Sequence, residues 1–459
     1  MGFADDHLIP LVDTGLGNSA YLVDLGDGRA LAVDAARDLR ALHTAARRRG
    51  LTVAYAADTH LHADFLSGAV QLGHDSGATV LASAAGRRAF PHRGLADGDE
   101  VDLGGLTLRA LATPGQTDEH LSFLLLDGAR ALGVFTGGSL LVHSAARTDL
   151  LGADRADALA RAQYRSLRRL ATLPEATAVW PTHGAGSFCS APPGTERTST
   201  VGAEKRANPL LAARDEDTFV RLLTASLGSY PAYFDRLAEH NRRGPAVLTA
   251  EPVLPELDAR RVRELLATGG QVVDARPAAA YAAGHIPGSL SVALRDQFAT
   301  WLGWLLPDDV PLVFVLDPDQ DADELVRQAY KIGYERLAGR LQGGMAAWAG
   351  DGNAQATTPF VTADRAGDRP YLDVRQIAEF TAGHVPGAVP LELGELTARA
   401  ADAPAGALVA CGHGERAMTA ASLLERAGRT DVAVLDGGPR QYAAAHERRL
   451  VRGTEETRP

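Results

Sequence analysis

The sequence has few cysteines and no long apolar run. Two cysteines, Cys189 and Cys411, occur among 459 residues and lie in segments of different pattern. In a reducing compartment a structural disulfide between them is not expected, so a reactive thiol is the better use for at least one of them. No stretch approaches the roughly 18 apolar residues of a membrane span, so we expect no membrane segment.

The sequence also lacks an excess of positive charge. With 57 acidic and 46 Lys or Arg residues the formal net charge is -11, which argues against nucleic acid or an anionic membrane as the main partner. Residues 1–7 contain neither a basic region nor an apolar stretch, so no signal peptide is expected. We therefore predict a cytoplasmic protein.

The chain does contain enough apolar residues for several folded cores. It is 46% hydrophobic and 22% charged, a composition typical of globular proteins. A chain of 459 residues predicts about three domains. Up to about residue 244, short apolar runs alternate with Gly and Asp turns, which favours a sheet-rich domain, with a helix predicted at residues 155–173.

Two segments after residue 244 resemble each other. In each, an apolar strand ends in Asp-x-Arg, at Asp274 and Asp373, and a Gly-His-x-Pro-Gly turn and a Gly-Gly pair follow. Each segment predicts a small α/β domain with a mainly parallel sheet. Residues 350–364, rich in Ala, Thr and Asp, predict the linker between them.

Only the second of these segments carries a thiol. Cys411 ends an apolar strand, and a helix is predicted from Arg416. Backbone N–H groups of the intervening loop and the helix N-terminus can then stabilise a thiolate, the nucleophile of sulfur transfer. The residues of this predicted persulfide loop are Gly412, His413, Gly414, Glu415 and Ala417, with Cys411 and Arg416 as the catalytic pair. An inert buried cysteine is the alternative.

Several motifs of the first 245 residues are typical of metal sites, but with ligand positions altered. A His-x-His-x-Asp stretch supplies His60, His62 and Asp64, and His183 lies in a later Pro-x-His-Gly. Phe65 stands where a further His is expected after Asp64. Gln116, a weak ligand, follows Thr-Pro-Gly, and Gly138, which has no ligand atom in a side chain, follows Thr-Gly.

These motifs carry a family resemblance over nearly the whole chain. The second half resembles a tandem rhodanese, and the first half resembles a metallo-β-lactamase-fold domain of the glyoxalase II and persulfide dioxygenase branch. Together they resemble the bacterial persulfide dioxygenase–rhodanese fusions. The resemblance implies an α/β multidomain fold: an αββα sandwich in residues 1–245 and two rhodanese-like domains in residues 253–352 and 362–455. It also implies a homo-oligomer.

The resemblance also assigns roles to single residues. Four residues between Cys411 and Arg416 match rhodaneses, whereas related phosphatase loops have five, so Arg416 is expected to stabilise the thiolate or to hold a thiosulfate or sulfonate group. The first repeat has Asp-Pro-Asp-Gln at residues 317–320 in place of a Cys loop and is expected to be structural. Arg147 is expected to contact an anionic thiol substrate.

At the front site the mononuclear iron ligands of the family would fall at His60, Gln116 and Gly138, so one of three survives. Gly138 has no side chain, and a neutral amide is a poor ligand for iron or zinc. We expect no catalytic iron here. Two other interpretations stay open: His60, His62 and Asp64 act as hydrogen-bonded groups that shape a loop, or His60, His62 and His183 form a three-imidazole zinc site.

The leading hypothesis is a rhodanese-type sulfurtransferase that moves sulfane sulfur through Cys411, with a front domain that binds or shields the partner. Expected partners are a small thiol or persulfide, thiosulfate and a protein sulfur acceptor. No cofactor is expected, with zinc or iron open only at the residual site. One alternative is a persulfide dioxygenase or thiol-ester hydrolase with an atypical metal site, and the other is a persulfide-carrying scaffold or sensor.

Overall fold

The computed structural model describes residues 3–189 and 196–453, which form two compact units. The first unit comprises the described residues up to Glu251 together with Arg327–Gly333. The second comprises Pro252–Val326 and the described residues from Tyr334 on. No helix within the described ranges has both the length and the apolar character needed to cross a membrane.

The first unit begins with a six-stranded sheet whose strands follow one another in chain order. The first three strands pair antiparallel and the last four pair parallel. The strands are β1 (Leu8–Asp13), β2 (Asn18–Asp24), β3 (Arg29–Val33), β4 (Thr52–Ala57), β5 (Thr79–Ser83) and β6 (Arg93–Leu95). The helices of this half are α1 (Phe3–His7), α2 (Arg40–Arg49) and α3 (Ala69–Ser76).

A second six-stranded sheet has the order β12-β11-β10-β9-β8-β7. Its strands are β7 (Glu100–Asp102), β8 (Leu106–Ala112), β9 (Leu121–Asp127), β10 (Arg130–Gly137), β11 (Ala178–Pro181) and β12 (Ser199–Thr200). The helices are α4 (Ala153–Leu170), α5 (Val201–Ala207), α6 (Glu216–Ala225) and α7 (Phe234–Arg243). The predicted helix at residues 155–173 is thus present as α4, which ends three residues earlier.

The two sheets pack face to face, and helices cover their outer faces. Alternation along β2 shows this arrangement, because successive side chains of a strand point to opposite faces. Tyr21 and Val23 join the core between the sheets, which includes Phe123 and Phe135, whereas Leu22 packs in the cluster that contains residues of α2 and α3. The apolar side chains of α4 and α6 cover the outer face of the second sheet. The predicted αββα sandwich is confirmed.

The second unit contains two parallel five-stranded sheets of equivalent order, β13-β17-β16-β14-β15 and β18-β22-β21-β19-β20. The strands of the first repeat are β13 (Glu256–Leu257), β14 (Gln271–Asp274), β15 (Leu290–Ser291), β16 (Leu312–Val315) and β17 (Leu337–Leu341). Its helices are α8 (Ala259–Ala267), α9 (Ala278–Ala283), α10 (Phe298–Leu305), α11 (Ala322–Lys331) and α12 (Gly344–Gly350). Residues 327–333, which include the end of α11, belong to the first unit.

The second repeat has the same plan. Its strands are β18 (Phe360–Val361), β19 (Tyr371–Asp373), β20 (Val389–Pro390), β21 (Leu408–Ala410) and β22 (Ala433–Leu435). Its helices are α13 (Ile377–Ala382), α14 (Leu396–Arg399), α15 (Glu415–Arg426) and α16 (Pro439–Ala445). The two predicted rhodanese-like α/β domains are therefore both present.

The linker prediction needs one correction. Residues 350–364 were expected to connect the repeats, but Phe360 and Val361 form β18 and pair with β22. A strand of two residues is too short to show an alternating pattern in the sequence. Its pairing partner β22 also lies more than 70 residues further along the chain, so no local signal marks it. The connection that lacks strand or helix is therefore shorter than predicted.

Candidate functional site

Loops at the ends of several strands bring the altered metal motif together inside the first unit. His60, His62 and Asp64 follow β4, Gln116 lies between β8 and β9, Gly138 follows β10, and His183 follows β11. The five of these residues that have side chains are each at most 1% exposed. The site is therefore a desolvated polar cluster.

His183 lies at the centre of this cluster. Its Nε2 atom lies 3.4 Å from His60 Nε2 and 3.2 Å from Gln116 Nε2. Its Nδ1 atom lies 3.0 Å from Asn18 Oδ1, and Asn18 Nδ2 donates to Asp64 Oδ2 at 2.7 Å. The Asn18 amide thus bridges the imidazole and the carboxylate. Sequence reasoning missed Asn18, since nothing near it in the chain marks a site.

Gln116 occupies the space that a side chain at position 138 would need. A Cβ atom on Gly138 would lie 1.7 Å from Gln116 Oε1 and 2.5 Å from its Cδ. Gln116 Oε1 is buried and has no hydrogen-bond partner. The two departures from the family pattern are therefore sterically coupled: with Gln116 in this position, no carboxylate fits at position 138.

The iron that the fold family implies does not fit these residues. Of the three expected ligand positions, His60 alone presents an imidazole, Gly138 presents no donor, and the Gln116 amide fills the place of the missing carboxylate. An Fe(II) site without an anionic ligand loses a large part of the electrostatic attraction that holds the ion.

His62 is paired with a carboxylate through one of its ring nitrogens. Its Nε2 lies 3.2 Å from Asp34 Oδ1, and its ring stacks on Phe65 with the centroids 4.2 Å apart. Burial alone would lower the pKa of His62, but the charge of Asp34 and the hydrogen bond to it raise the pKa. Burial would likewise raise the pKa of Asp34, yet His62, Thr182 and Thr59 lower it to about 2. The pair links the loop after β4 to Asp34, which follows β3.

Two groups of three His, Cys, Asp or Glu residues in the described ranges bring one ligand atom each within 4.8 Å of the other two. The groups are Asp64, His183 and Cys189, and Asp34, Asp58 and His62. Neither group contains all three of His60, His62 and His183, which the sequence suggested as a possible zinc site. The first group combines a carboxylate, an imidazole and a thiol, a donor set that suits zinc.

Cys189 is fully buried and lies beside Asp64, a contact that the sequence did not indicate. Burial and the charge of Asp64 raise the pKa of the Cys189 thiol well above its usual range. Its distance in the sequence from the His-x-His-x-Asp stretch hid this contact.

Arg147, the predicted substrate contact, is hydrogen-bonded to groups of the protein itself. It is 4% exposed and donates to both carboxylate oxygens of Asp149, at 2.7 and 2.8 Å. It also donates to the carbonyl oxygens of Phe188 and Gly228, at 3.1 and 2.9 Å, and packs over the ring of Tyr230. A bound substrate would have to compete with these four hydrogen bonds.

The second candidate site is the Cys411 loop, which joins β21 to α15. Cys411 is 1% exposed, and its Sγ accepts the N–H of Gly414 at 3.2 Å. Gly414 has φ of +102°, in the left-handed region that favours glycine, and the helix begins one residue later at Glu415. A backbone N–H thus points at the sulfur next to a helix N-terminus, as the sequence predicted. Within the loop His413 is exposed and Ala417 is buried.

Arg416 has a partner that the sequence did not reveal. Its Nη1 donates to Glu379 Oε2 at 2.6 Å and its Nη2 donates to Glu379 Oε1 at 2.8 Å. Burial alone would raise the pKa of Glu379, but the hydrogen bonds and charge of Arg416 lower it. The contact joins residues 37 apart, on α15 and α13, so no local motif could have indicated it.

The first repeat lacks each part of this arrangement. Strand register equates Val315 with Ala410, because they pair with Asp274 and Asp373 respectively. Leu316 then stands at the position of Cys411. The repeat therefore has no nucleophile, as predicted.

Comparison with known proteins agrees with this division. A model of the rhodanese-like domain matches residues 258–351 and 361–445. The N-terminal region is similar to a probable metallo-hydrolase of Burkholderia pseudomallei (strain 1710b), 32% identical over 206 residues, and to the mitochondrial persulfide dioxygenase ETHE1 of Homo sapiens, 31% identical over 177 residues. Each match covers 38% of this chain, which spans 66% and 62% of those proteins, less than two thirds of either.

A solved structure agrees over a longer stretch. A metallo-beta-lactamase from Staphylococcus aureus subsp. aureus COL superposes with a TM-score of 0.65 at 28% identity, over 72% of this chain and 98% of that one. The chain is therefore a fusion of a metallo-β-lactamase-fold region with two C-terminal rhodanese-like domains. Its N-terminal region is similar to persulfide dioxygenases, so the predicted resemblance to the persulfide dioxygenase–rhodanese fusions is confirmed.

Restoring iron binding should require two substitutions together. Gly138→Asp alone places a Cβ atom 1.7 Å from Gln116 Oε1 and should not bind iron. Gln116→His with Gly138→Asp removes the closest clash, leaves a contact of 2.8 Å with Ala146 Cβ that a small shift must relieve, and supplies an imidazole and a carboxylate beside His60. We expect the double variant to bind Fe(II) more than about 100-fold more tightly than wild type, measured by metal titration and elemental analysis. Equal binding by the Gly138→Asp variant would contradict the steric coupling.

Acid should destabilise the first unit through its buried neutral histidines. Burial lowers the pKa of His120 to about 3 and that of His60 well below its ordinary value. Below pH 6.5 the unfolded chain then binds protons that the folded chain does not, so stability falls as pH falls, by up to about 2 kcal/mol per histidine between pH 6.5 and pH 5. His62, with its raised pKa, opposes this loss in part.

The measurement is calorimetric unfolding from pH 7 to pH 5. His120→Asn should flatten the decrease of the first unit's unfolding midpoint with acid, because the variant has one fewer buried group to protonate. His74→Asn, at a side chain that is 53% exposed, is the matched control and should follow wild type. A His120→Asn curve parallel to wild type would argue against this assignment.

The Gly-Gly pair should be essential to the Cys411 loop. A Cβ atom on Gly438 would lie 2.4 Å from the carbonyl oxygen of Gly412. Gly438→Ala should therefore displace the loop, lowering stability by about 1–3 kcal/mol and sulfur transfer from a persulfide by roughly tenfold or more. Gly350→Ala, where the added atom meets nothing within 4 Å, is the control. Full activity of Gly438→Ala would show that the loop tolerates the shift.

Proposed function

We propose that the protein is a sulfurtransferase that carries sulfane sulfur as a persulfide on Cys411. The observation that carries this proposal is the position of the Cys411 sulfur at the junction of β21 and α15, where it accepts the N–H of Gly414 at 3.2 Å. Such a junction stabilises a thiolate and its persulfide through backbone N–H groups and the helix N-terminus. The rhodanese-like match at residues 361–445 supports the same assignment.

The transfer needs two nucleophilic displacements. The Cys411 thiolate attacks the outer sulfur of a donor persulfide R–S–SH, the S–S bond breaks, and its electron pair leaves on R–S⁻, which takes up a proton. The Cys411 persulfide is then attacked at its outer sulfur by an acceptor thiolate, which releases Cys411. No oxidant or metal takes part in either step.

The front region is proposed to bind or shield the thiol partner without catalysis. Support comes from Gln116, whose amide fills the space of the carboxylate that an iron site of this fold would need at position 138. Similarity to persulfide dioxygenases motivates a second candidate function, persulfide oxidation, but the altered ligand positions oppose it. A thiol-ester hydrolase would need metal ligands at the same positions.

Partners of the proposed enzyme follow from this chemistry. A low-molecular-weight persulfide would serve as donor, and a small thiol or a thiol of another protein would serve as acceptor. A homo-oligomer and a cytoplasmic location remain parts of the proposal. A persulfide-carrying scaffold or sensor differs in one respect: it would form the Cys411 persulfide but turn over slowly with small acceptors.

Cys411→Ser should abolish sulfur transfer. We expect a loss of at least about 1,000-fold in kcat/KM with a low-molecular-weight persulfide as donor and a thiol as acceptor, because the attacking thiolate is absent. Intact-protein mass spectrometry should show one added sulfur on wild type and on Cys189→Ala, and none on Cys411→Ser. Transfer that survives in Cys411→Ser would refute the proposed function.

A further inference from the structure

The arginine of the Cys411 loop is neutralised inside the protein. Arg416 and Glu379 form a two-pronged ion pair, with N–O distances of 2.6 and 2.8 Å. Their side chains are 16% and 41% exposed, so the pair is partly withdrawn from solvent. A pair of this geometry fixes both side chains and leaves the guanidinium with little free charge for an incoming anion.

The guanidinium lies directly against the sulfur-carrying loop. A Cβ atom built on Gly412, the residue after Cys411, would lie 3.6 Å from Arg416 Nη2. The carboxylate that neutralises Arg416 is therefore placed where the charged end of a donor would approach the loop. A sulfonate group on the donor would compete with Glu379 for the same N–H groups.

A second arginine of this region is also held by partners within the protein. Arg375, the nearby arginine on the second Asp-x-Arg strand end, donates to Asp373 at 2.7 Å and to the carbonyl oxygen of Gly383 at 2.9 Å. Within the loop, Glu415 adds a further negative charge. At Arg416 and Arg375 an approaching dianion thus meets guanidinium groups that already have partners, together with the negative charge of Glu415.

The first repeat lacks the cysteine and also lacks both residues of this ion pair. Alignment on Asp274 and Asp373 places Ala280 at the position of Glu379, and the strand register that equates Leu316 with Cys411 places Asp321 at the position of Arg416. The repeat without the nucleophile therefore has neither member of the pair. The rest of the turn is retained, because Tyr281 and Phe380 both stack on the following histidine. The turn can form without the glutamate.

We propose that Glu379 determines donor specificity at Cys411, by occupying Arg416 and so selecting persulfides over sulfonate-bearing donors such as thiosulfate. This inference rests on the proposed sulfur transfer through Cys411. With a persulfide, the electron pair of the broken S–S bond leaves on a thiolate. With thiosulfate it leaves on sulfite, whose sulfonate oxygens must be bound during the attack, and Glu379 holds the N–H groups that would bind them.

The test compares two donors on Glu379→Gln in the full-length protein. Glutamine keeps the size of the side chain and the carbonyl oxygen that can accept the backbone N–H of Gln376, but it loses the charge. We expect kcat/KM with thiosulfate to rise by about tenfold or more, mainly through a lower KM, whereas kcat/KM with glutathione persulfide changes by less than about threefold. A gain of activity with one donor is not the result of a merely structural role.

Glu395→Gln is the matched control, because Glu395 lies in the same repeat, is 45% exposed and pairs with Arg399. It should change neither activity. If Glu379→Gln folds poorly by calorimetry, Glu379→Asp provides the second variant: its shorter side chain cannot keep both contacts, so thiosulfate activity should again rise. Thiosulfate activity that is unchanged or lower in folded variants would overturn the inference.

Failure of this inference is distinguishable from failure of the proposed function. If wild type transfers persulfide sulfur through Cys411 and the Glu379 variants gain nothing with thiosulfate, the specificity inference alone is wrong. If Cys411→Ser retains transfer, the proposed function is wrong and the inference falls with it.

Discussion

Pairing of charges that are buried or partly buried is the constraint on which both candidate sites depend. A charge removed from water is costly unless a partner compensates it. In the first unit Asp34 meets this need for His62, and Asn18 links Asp64 to His183. In the second unit Glu379 compensates the charge of Arg416, in a pair that is only partly withdrawn from solvent. The two sites differ in the groups that remain for chemistry. The first unit has a closed polar cluster, whereas the second unit has the Cys411 sulfur.

The front cluster illustrates how a metal-binding fold can keep its shape when its ligands change. Gln116 fills the volume at Gly138, so the cluster stays packed although two expected ligands are gone. The surviving imidazoles and carboxylates retain hydrogen-bond partners, which explains why they remain well placed. Close packing favours such coupled changes, since a carboxylate at position 138 and the present Gln116 cannot occupy the same space.

The two rhodanese-like repeats share the same turn, but in the first repeat its histidine makes an additional contact. In both, the histidine of the Gly-His-x-Pro-Gly turn stacks on an aromatic ring and its Nδ1 bonds to a backbone carbonyl. In the first repeat, His285 also places Nε2 2.9 Å from Glu425 Oε2, on the helix that follows the Cys411 loop. The repeat without a cysteine thus contacts the helix of the active loop, in keeping with its predicted structural role.

The sequence predicted much of this fold because its signals are local. Asp-x-Arg strand ends, glycine turns and the Cys411-to-Arg416 spacing each lie within a few residues, and they located both repeats and the sulfur site. The missed features depend on contacts between distant segments: Asn18 with His183, Cys189 with Asp64, and Glu379 with Arg416. Such pairs leave no periodic or spacing signal, and the two-residue strand β18 was lost in the predicted linker for the same reason.

The most direct test of this account is oxygen uptake with glutathione persulfide, measured on wild type and Cys411→Ser after incubation with Fe(II). The account predicts uptake at the level of the protein-free background for both proteins, while wild type alone transfers sulfur to a thiol acceptor. Persulfide-dependent oxygen uptake that survives in Cys411→Ser would contradict it and make the metallo-β-lactamase-fold region the enzyme.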